Sequence, residues 1–177
     1  PIYELSGKTL GIVGFGNIGK QVAAVATAYG MKVLVARRDA SQPAPENVNY
    51  VDKETLSAAA DILTLHCPLT PENMKMVNTE FLTRMKPSAL LINTARGGLI
   101  DEEALADALS NRSIAGAALD VLSTEPPLSN HPLLNAKNCI LTPHIAWASR
   151  ESRKKLMDII CENLRGYMLG EPKNVIA

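Results

Sequence analysis

Short apolar runs alternate along this chain with longer segments whose apolar residues recur at helical spacing, in the rhythm of successive βα units rather than hairpins. Thr9 to Val13 predicts a first strand, Asn17 to Tyr29 a helix stopped by Gly30, and Lys32 to Ala36 a second strand. A Pro-containing loop from Ser41 to Asn49 leads into a short helix over Lys53 to Ala60. Asp61 to His66 then reads as a third strand, closed by Cys67 and Pro68. Thr70, Pro71 and Glu72 predict a capped turn, Thr79 to Met85 a short helix with a threonine N-cap, and Ala89 to Asn93 a fourth strand. Asp101 to Leu109 is an amphipathic helix with acids in its first turn, where they complement the helix dipole. Ile114 to Leu119 and Cys139 to Leu141 are the fifth and sixth strands, and Ser149 to Leu169 predicts a long final helix. The Pro-rich stretch from Glu125 to Pro132 is too long and rigid for a tight connection between those two strands.

This pattern predicts an α/β fold with a mostly parallel, doubly wound sheet in the order 3-2-1-4-5-6 and helices on both faces. At 177 residues, a single domain over 1–177 is the expectation. Lys and Arg number 18, as do Asp and Glu, so no basic field recruits nucleic acid or an anionic membrane, and a small-molecule partner is favoured. Cys67, Cys139 and Cys161 are widely spaced, without a CxxC pair, which argues against a metal site and for a reducing, cytoplasmic setting. No apolar run approaches the roughly 18 residues that span a bilayer. The chain opens on Pro1 rather than Met, so it is expected to be processed or cut from a longer protein.

The junction of the first strand and first helix carries Gly14, Gly16 and Gly19 in a GxGxxG arrangement. There Gly14 permits the tight turn, Gly16 leaves room for a pyrophosphate, Gly19 allows close helix–strand packing, and the helix N-terminus faces the anion. About 20 residues on, where an NAD site usually presents an acid, stand Arg37 and Arg38. Guanidinium groups there suit a 2′-phosphate and favour NADP over NAD, although Asp39 is near enough to bend back, and two solvated arginines at a strand end are the plain alternative.

Polar residues also follow the fourth, fifth and sixth strands, bringing Arg96, Glu125 and His144 to the edge where ligands bind in such sheets. Reduction of a 2-oxo acid needs a cation for the carboxylate and carbonyl, a proton donor for the developing alkoxide, and an acid that keeps the donor protonated. Arg96, His144 and Glu125 fit those roles in that order. Singly, each has an ordinary structural explanation; together they point to one reaction.

The segments GIVGFGNIGKQVA, LLINTARGGLIDEEAL, ALDVLSTEPP and ILTPHIAWAS resemble the signature stretches of the D-isomer-specific 2-hydroxyacid dehydrogenase family, and the resemblance covers essentially the whole chain. It implies a Rossmann-like NAD(P)-binding domain with Arg96, Glu125 and His144 catalytic. It also implies cofactor contacts at Asn17 and Ile18, at Cys67 and Pro68, at Thr94 with Ala95 beside it, at Asp120, and in the His144 to Trp147 turn that holds Ala146. The stretch after Pro127 and the residue Trp147 look most similar to the glycerate dehydrogenase or hydroxypyruvate reductase branch. Phosphoglycerate dehydrogenase, D-lactate dehydrogenase and glyoxylate reductase stay open. The family resemblance further implies a homodimer and a second, substrate-covering domain outside these residues, without which turnover is expected to be weak while dinucleotide still binds. Two other readings remain: a dinucleotide-sensing, co-repressor-like module of the same fold, and a domain for S-adenosylmethionine or a flavin.

Overall fold

The computed structural model of the protein describes residues 2–38 and 43–175, so Asp39 lies outside the described residues. The chain divides into two compact units, residues 1–143 and 144–177.

The first unit is built on a seven-stranded, all-parallel sheet. Its strands are β1 (Thr9–Val13), β2 (Lys32–Ala36), β3 (Val48–Tyr50), β4 (Ile62–Leu65), β5 (Leu90–Asn93), β6 (Gly116–Leu119) and β7 (Cys139–Leu141). The order is β3-β2-β1-β4-β5-β6-β7. Two expectations are corrected here. The Pro-containing loop holds the short edge strand β3, and the strand expected at the edge beside β2 is β4, which pairs with β1 and β5 in the middle of the sheet. Three residues after Pro43 and Pro45 are too few for a period-2 signal, so the sequence pattern counts β4 as the third strand.

Four helices cover the sheet: α1 (Asn17–Ala28), α2 (Lys53–Ala59), α3 (Thr79–Arg84) and α4 (Glu102–Ser110). The buried stripe of α1 is Gly19, Ala23 and Ala26, small residues at helical spacing that let the helix lie close against Leu10, Ile12, Val33 and Val35. The opposite face carries the larger cluster, in which Leu56 of α2, Phe81 and Leu82 of α3 and Leu105 of α4 pack on Leu63, Leu65 and Leu91. Asn78, not a threonine, caps α3: its side chain accepts from the Phe81 N–H, and Thr79 is already helical. Asp101 likewise caps α4 through the Ala104 N–H, so the helix itself starts at Glu102.

The second unit is led by α5 (Arg150–Met168), capped by Ser149, whose side chain accepts from the Ser152 N–H. Beyond it the chain folds back: the Glu171 N–H donates to the Gly166 carbonyl at 2.8 Å, and Asn174 Nδ2 to Asn163 Oδ1 at 2.8 Å. No helix among the described residues is long and apolar enough to cross a membrane.

The amino edge of the sheet is tied by Asp61. Its Oδ2 accepts the Thr9 N–H at 2.8 Å, its Oδ1 meets Lys86 Nζ at 2.8 Å, and its backbone bonds Thr9 and Leu90. Burial alone would raise this carboxyl, but the Lys86 bond, the Thr9 N–H and the nearby lysine charges outweigh it and hold the pKa below the ordinary value. Replacing Asp61 by Ala leaves the Thr9 N–H without its acceptor and is expected to cost about 1–3 kcal/mol in a urea titration. Because the folded value is the lower one, wild-type Asp61 contributes its charge-dependent stability above pH ~4 and loses it as the pH falls through the folded value; the Asp61→Ala variant should lack that part of the acid transition.

Candidate functional site

Parallel register brings the strand ends level. Val13 pairs with Ala36 on one side and Leu65 on the other, Leu65 with Asn93, Asn93 with Leu119, and Leu119 with Leu141. The next residue of each strand therefore joins one row along the carboxyl edge: Arg37, Gly14, His66, Thr94, Asp120 and Thr142. At about 4.8 Å per strand, Arg37 and Thr94 stand about 14 Å apart along that row. The winding reverses between β1 and β4, the switch point outside which such sheets bind ligands.

Two clefts meet there. One of about 920 Å³ is lined by Gly14, Phe15, Gly16, Arg37, Arg38 and Asp52 among others, and a second of about 410 Å³ by Ile18, Thr94, Ala95 and Arg96. His66, Cys67 and Pro68 line both, so the pair forms one groove from the end of β2 to the end of β5. Its size and elongation suit a dinucleotide. Gly14 has φ 92°, and a Cβ there would lie 2.7 Å from the Cys67 nitrogen and the His66 carbonyl, so the turn admits no side chain. Helix α1 begins at this turn with Gly16 as N-cap and no side-chain cap, leaving the first-turn N–H groups of Asn17, Ile18 and Gly19 to an anion.

At the β2 end, Arg37 donates from Nη1 to the Tyr50 hydroxyl at 3.1 Å, with its guanidinium carbon 5.4 Å from the ring centroid. Val51, Asp52, Lys53 and Glu54 also line this end, and none of them was among the expected site residues. Their only sequence signal is Asp52, which accepts the Thr55 N–H as N-cap of α2. The 68–73 loop is closed by Asn73, whose Oδ1 accepts the Thr70 N–H at 2.7 Å and whose Nδ2 donates to the Pro68 carbonyl at 2.8 Å.

At the β5 end, fully buried Asn93 organises the turn that presents Thr94, Ala95 and Arg96. Its Oδ1 accepts the Ala95 N–H and its Nδ2 donates to the Arg96 carbonyl, both at 2.9 Å. Arg96 is exposed and donates to the Ala95 carbonyl at 2.6 Å. The next residue, Gly97, is buried against the loop after β6: a Cβ on it would lie 1.9 Å from the Leu122 carbonyl carbon and 2.3 Å from the Ser123 nitrogen. The segments bearing Arg96 and Glu125 are thus laid backbone against backbone. Glu125 Oε1 accepts the Leu122 N–H at 2.9 Å, and Asp120, 5% exposed, accepts from the Thr142 hydroxyl.

His144 belongs to the second unit. Its φ of 55° lies in the left-handed region, uncommon for a residue with a side chain. Ile145, Ala146 and Trp147 follow it in a turn closed by the Ala148 N–H on the Ile145 carbonyl at 2.9 Å, and Ser149 then caps α5.

Two groove residues have ionisation set by burial. Burial lowers the His66 imidazole below its ordinary value and raises the Cys67 thiol above its own. Neutral His66 therefore faces the groove at pH 7. A base depressed in the folded state leaves stability intact above pH ~6.5, the unfolded value, and removes it as the pH falls from there through the folded value. Thermal midpoints between pH 7.5 and 5.5 should fall more steeply for wild type than for His66→Gln; identical slopes would contradict the burial argument. Gly14→Ala should weaken NADH and NADPH binding by about 100-fold, or about 3 kcal/mol, in a fluorescence titration, with the far-UV spectrum retained.

Comparison with known proteins matches residues 1–146 to the D-isomer specific 2-hydroxyacid dehydrogenase, NAD binding domain. A hydroxypyruvate reductase of Blautia hydrogenotrophica is 49% identical over 99% of this chain and 55% of its own length. A glycerate dehydrogenase of Methylorubrum extorquens is 47% identical over the same shares. The solved structure of an acyclic imino acid reductase with NADPH and D-Arg superposes with a TM-score of 0.89 at 38% identity, over 99% of this chain and 55% of that one. The chain spans about half the length of the curated relatives it matches.

Proposed function

This chain belongs to the D-isomer-specific 2-hydroxyacid dehydrogenase family as its NAD-binding domain, and from that premise we propose that it serves hydride transfer between a nicotinamide cofactor and a small 2-oxo or 2-hydroxy acid of the hydroxypyruvate, glyoxylate or D-glycerate type. The observation that carries the reading is the groove along the strand-end row, which runs from Arg37 past Gly14 to Arg96. Relatives named hydroxypyruvate reductase and glycerate dehydrogenase support the substrate class.

The bound dinucleotide supplies or takes up the hydride. Gly14, Gly16, Asn17, Ile18 and Gly19 would hold its pyrophosphate on the backbone N–H groups at the α1 start, and Cys67 and Pro68 would line the groove beside it. Thr94, Ala95 and Asp120 would border its nicotinamide half, and Ala146 is a further contact proposed from the family resemblance. Arg96 orients the substrate carboxylate and polarises the carbonyl, so its charge is most valuable where the oxyanion develops. His144 gives its proton to that oxygen in reduction and removes it in oxidation, and Glu125 stabilises the imidazolium. Left-handed backbone at His144 supports this role, since such conformations concentrate where function holds a side chain in place.

Arg37 and Arg38, both lining the β2 end of the groove, favour a 2′-phosphate and hence NADP. The contacts with the Tyr50 ring and hydroxyl support this by holding the Arg37 guanidinium at the end of β2. We further hold that the protein is a cytoplasmic homodimer, which light scattering at several concentrations reads for its oligomeric part.

The test is steady-state reduction of a 2-oxo acid panel by the intact protein with NADH and NADPH in parallel. Hydroxypyruvate and glyoxylate should turn over, and His144→Gln should lower kcat by about 100- to 10,000-fold. Absence of NAD(P)H oxidation with every 2-oxo acid overturns the function. Arg37→Asp should lower the NADPH-to-NADH ratio of kcat/KM by about tenfold or more, about 1.4 kcal/mol; an unchanged ratio removes the NADP assignment.

A further inference from the structure

The loop that carries Glu125 is fastened from outside the strand-end row. Ser123 donates its backbone N–H to Glu102 Oε1 at 2.8 Å and its hydroxyl to Glu102 Oε2. The same carboxylate meets His131 Nε2 at 3.2 Å. His131 Nδ1 accepts the Leu133 N–H at 3.3 Å, so the ring proton sits on Nε2 and is donated to Glu102. The two side chains are only 11% and 13% exposed. An acid in the first turn of a helix ordinarily stays in water beside the free N–H groups. Here Asp101 already caps α4, and the neighbouring acid is drawn inward onto three donors from two other parts of the chain. Desolvating a carboxylate is tolerated only with such partners.

The clamp acts on the residues that set Glu125. Leu122 and Ser123 lie in contact range of Gly97, which has no side chain to hold them off, and the Leu122 N–H binds Glu125 Oε1. Gly97 supports the loop from below, Glu102 grips it at Ser123, and Glu125 is two residues further along. We propose that Glu102, backed by His131, is a positioning residue for Glu125: the carboxylate's bonds to Ser123 fix the 122–125 loop over Gly97 and so fix where the Glu125 carboxylate is presented. The proposal rests on the reading of Glu125 as the acid partner of His144.

The experiment compares Glu102→Ala, Glu102→Gln and Ser123→Ala with Glu125→Gln in the intact protein. Glu102→Ala should lower kcat for 2-oxo acid reduction by about 10- to 100-fold, the scale of an ångström-level misplacement, with the Kd for the dinucleotide unchanged. It should also move the alkaline limb of the rate–pH profile to lower pH, the direction Glu125→Gln moves it. Glu102→Gln keeps one acceptor oxygen and should recover part of both effects. Ser123→Ala, on an exposed loop, removes only the hydroxyl arm and should give a smaller shift of the same sign with the fold intact. If Glu125→Gln moves the limb while Glu102→Ala and Ser123→Ala leave limb and kcat at wild-type values, the positioning role is overturned. If Glu125→Gln itself moves nothing, the Glu125 assignment fails. Amide exchange then judges the clamp alone: faster exchange at Leu122 and Ser123 in Glu102→Ala upholds it, and unchanged exchange ends it.

Discussion

The parallel ladder continues past the strands, and most of what makes this chain more than a stable sheet depends on that. The Gly14 N–H donates to the Ala36 carbonyl at 2.9 Å, His66 to Val13 at 2.7 Å, Asp120 to Asn93 at 2.9 Å and Thr142 to Leu119 at 3.0 Å. Each bond ties the first residue beyond one strand to the last residue of its neighbour, so the residues facing the groove inherit the register of the core. Side chains in the row are placed by backbone geometry, and loops begin only after their first functional residue has been fixed. A slip of one residue in any strand would turn its contribution to the opposite face.

The glycine turn, the α1 start and the segments after β5 and β6 were legible in the sequence because each rests on a local constraint. Gly14 needs a positive φ, strands buried on both faces read as unbroken apolar runs, and polar residues directly after such runs fall at one edge. The short strand β3 was not legible: Val48, Asn49 and Tyr50 are too few to show a period, and their pairing depends on β2 being beside them. The pattern does not separate Asn78 from Thr79 as the α3 cap, because both are good capping types; only the bond to Phe81 decides between them. Glu102 was legible as an acid at a helix start, which is a sufficient local explanation, and for that reason its distant partners Ser123 and His131 left no trace in the pattern.

The site has two kinds of support. Around the dinucleotide groove, the determinants are backbone: an absent Cβ at Gly14, N–H groups at a helix start, and a row of strand ends. Around Arg96 and Glu125, they are side chains that reach across the chain. Asn93 spends both ends of its amide on the Arg96 turn, and Glu102 closes the other loop. The first kind fails where a side chain is added at Gly14, and the second where Asn93 loses its amide or Glu102 its carboxylate. The groove and the loops bearing Arg96 and Glu125 are therefore held by separate sets of contacts.

Cys67 stands where both clefts meet, half-buried, with Asn73 Nδ2 3.8 Å from its sulfur. Burial disfavours its thiolate, and the thiolate is the form that peroxides and alkylating agents attack. The same burial that shapes the groove thus gives it chemical durability. A sulfur atom lines the groove, yet it is poorly suited to exchange electrons with its surroundings, and oxidative wear should fall first on exposed Cys161.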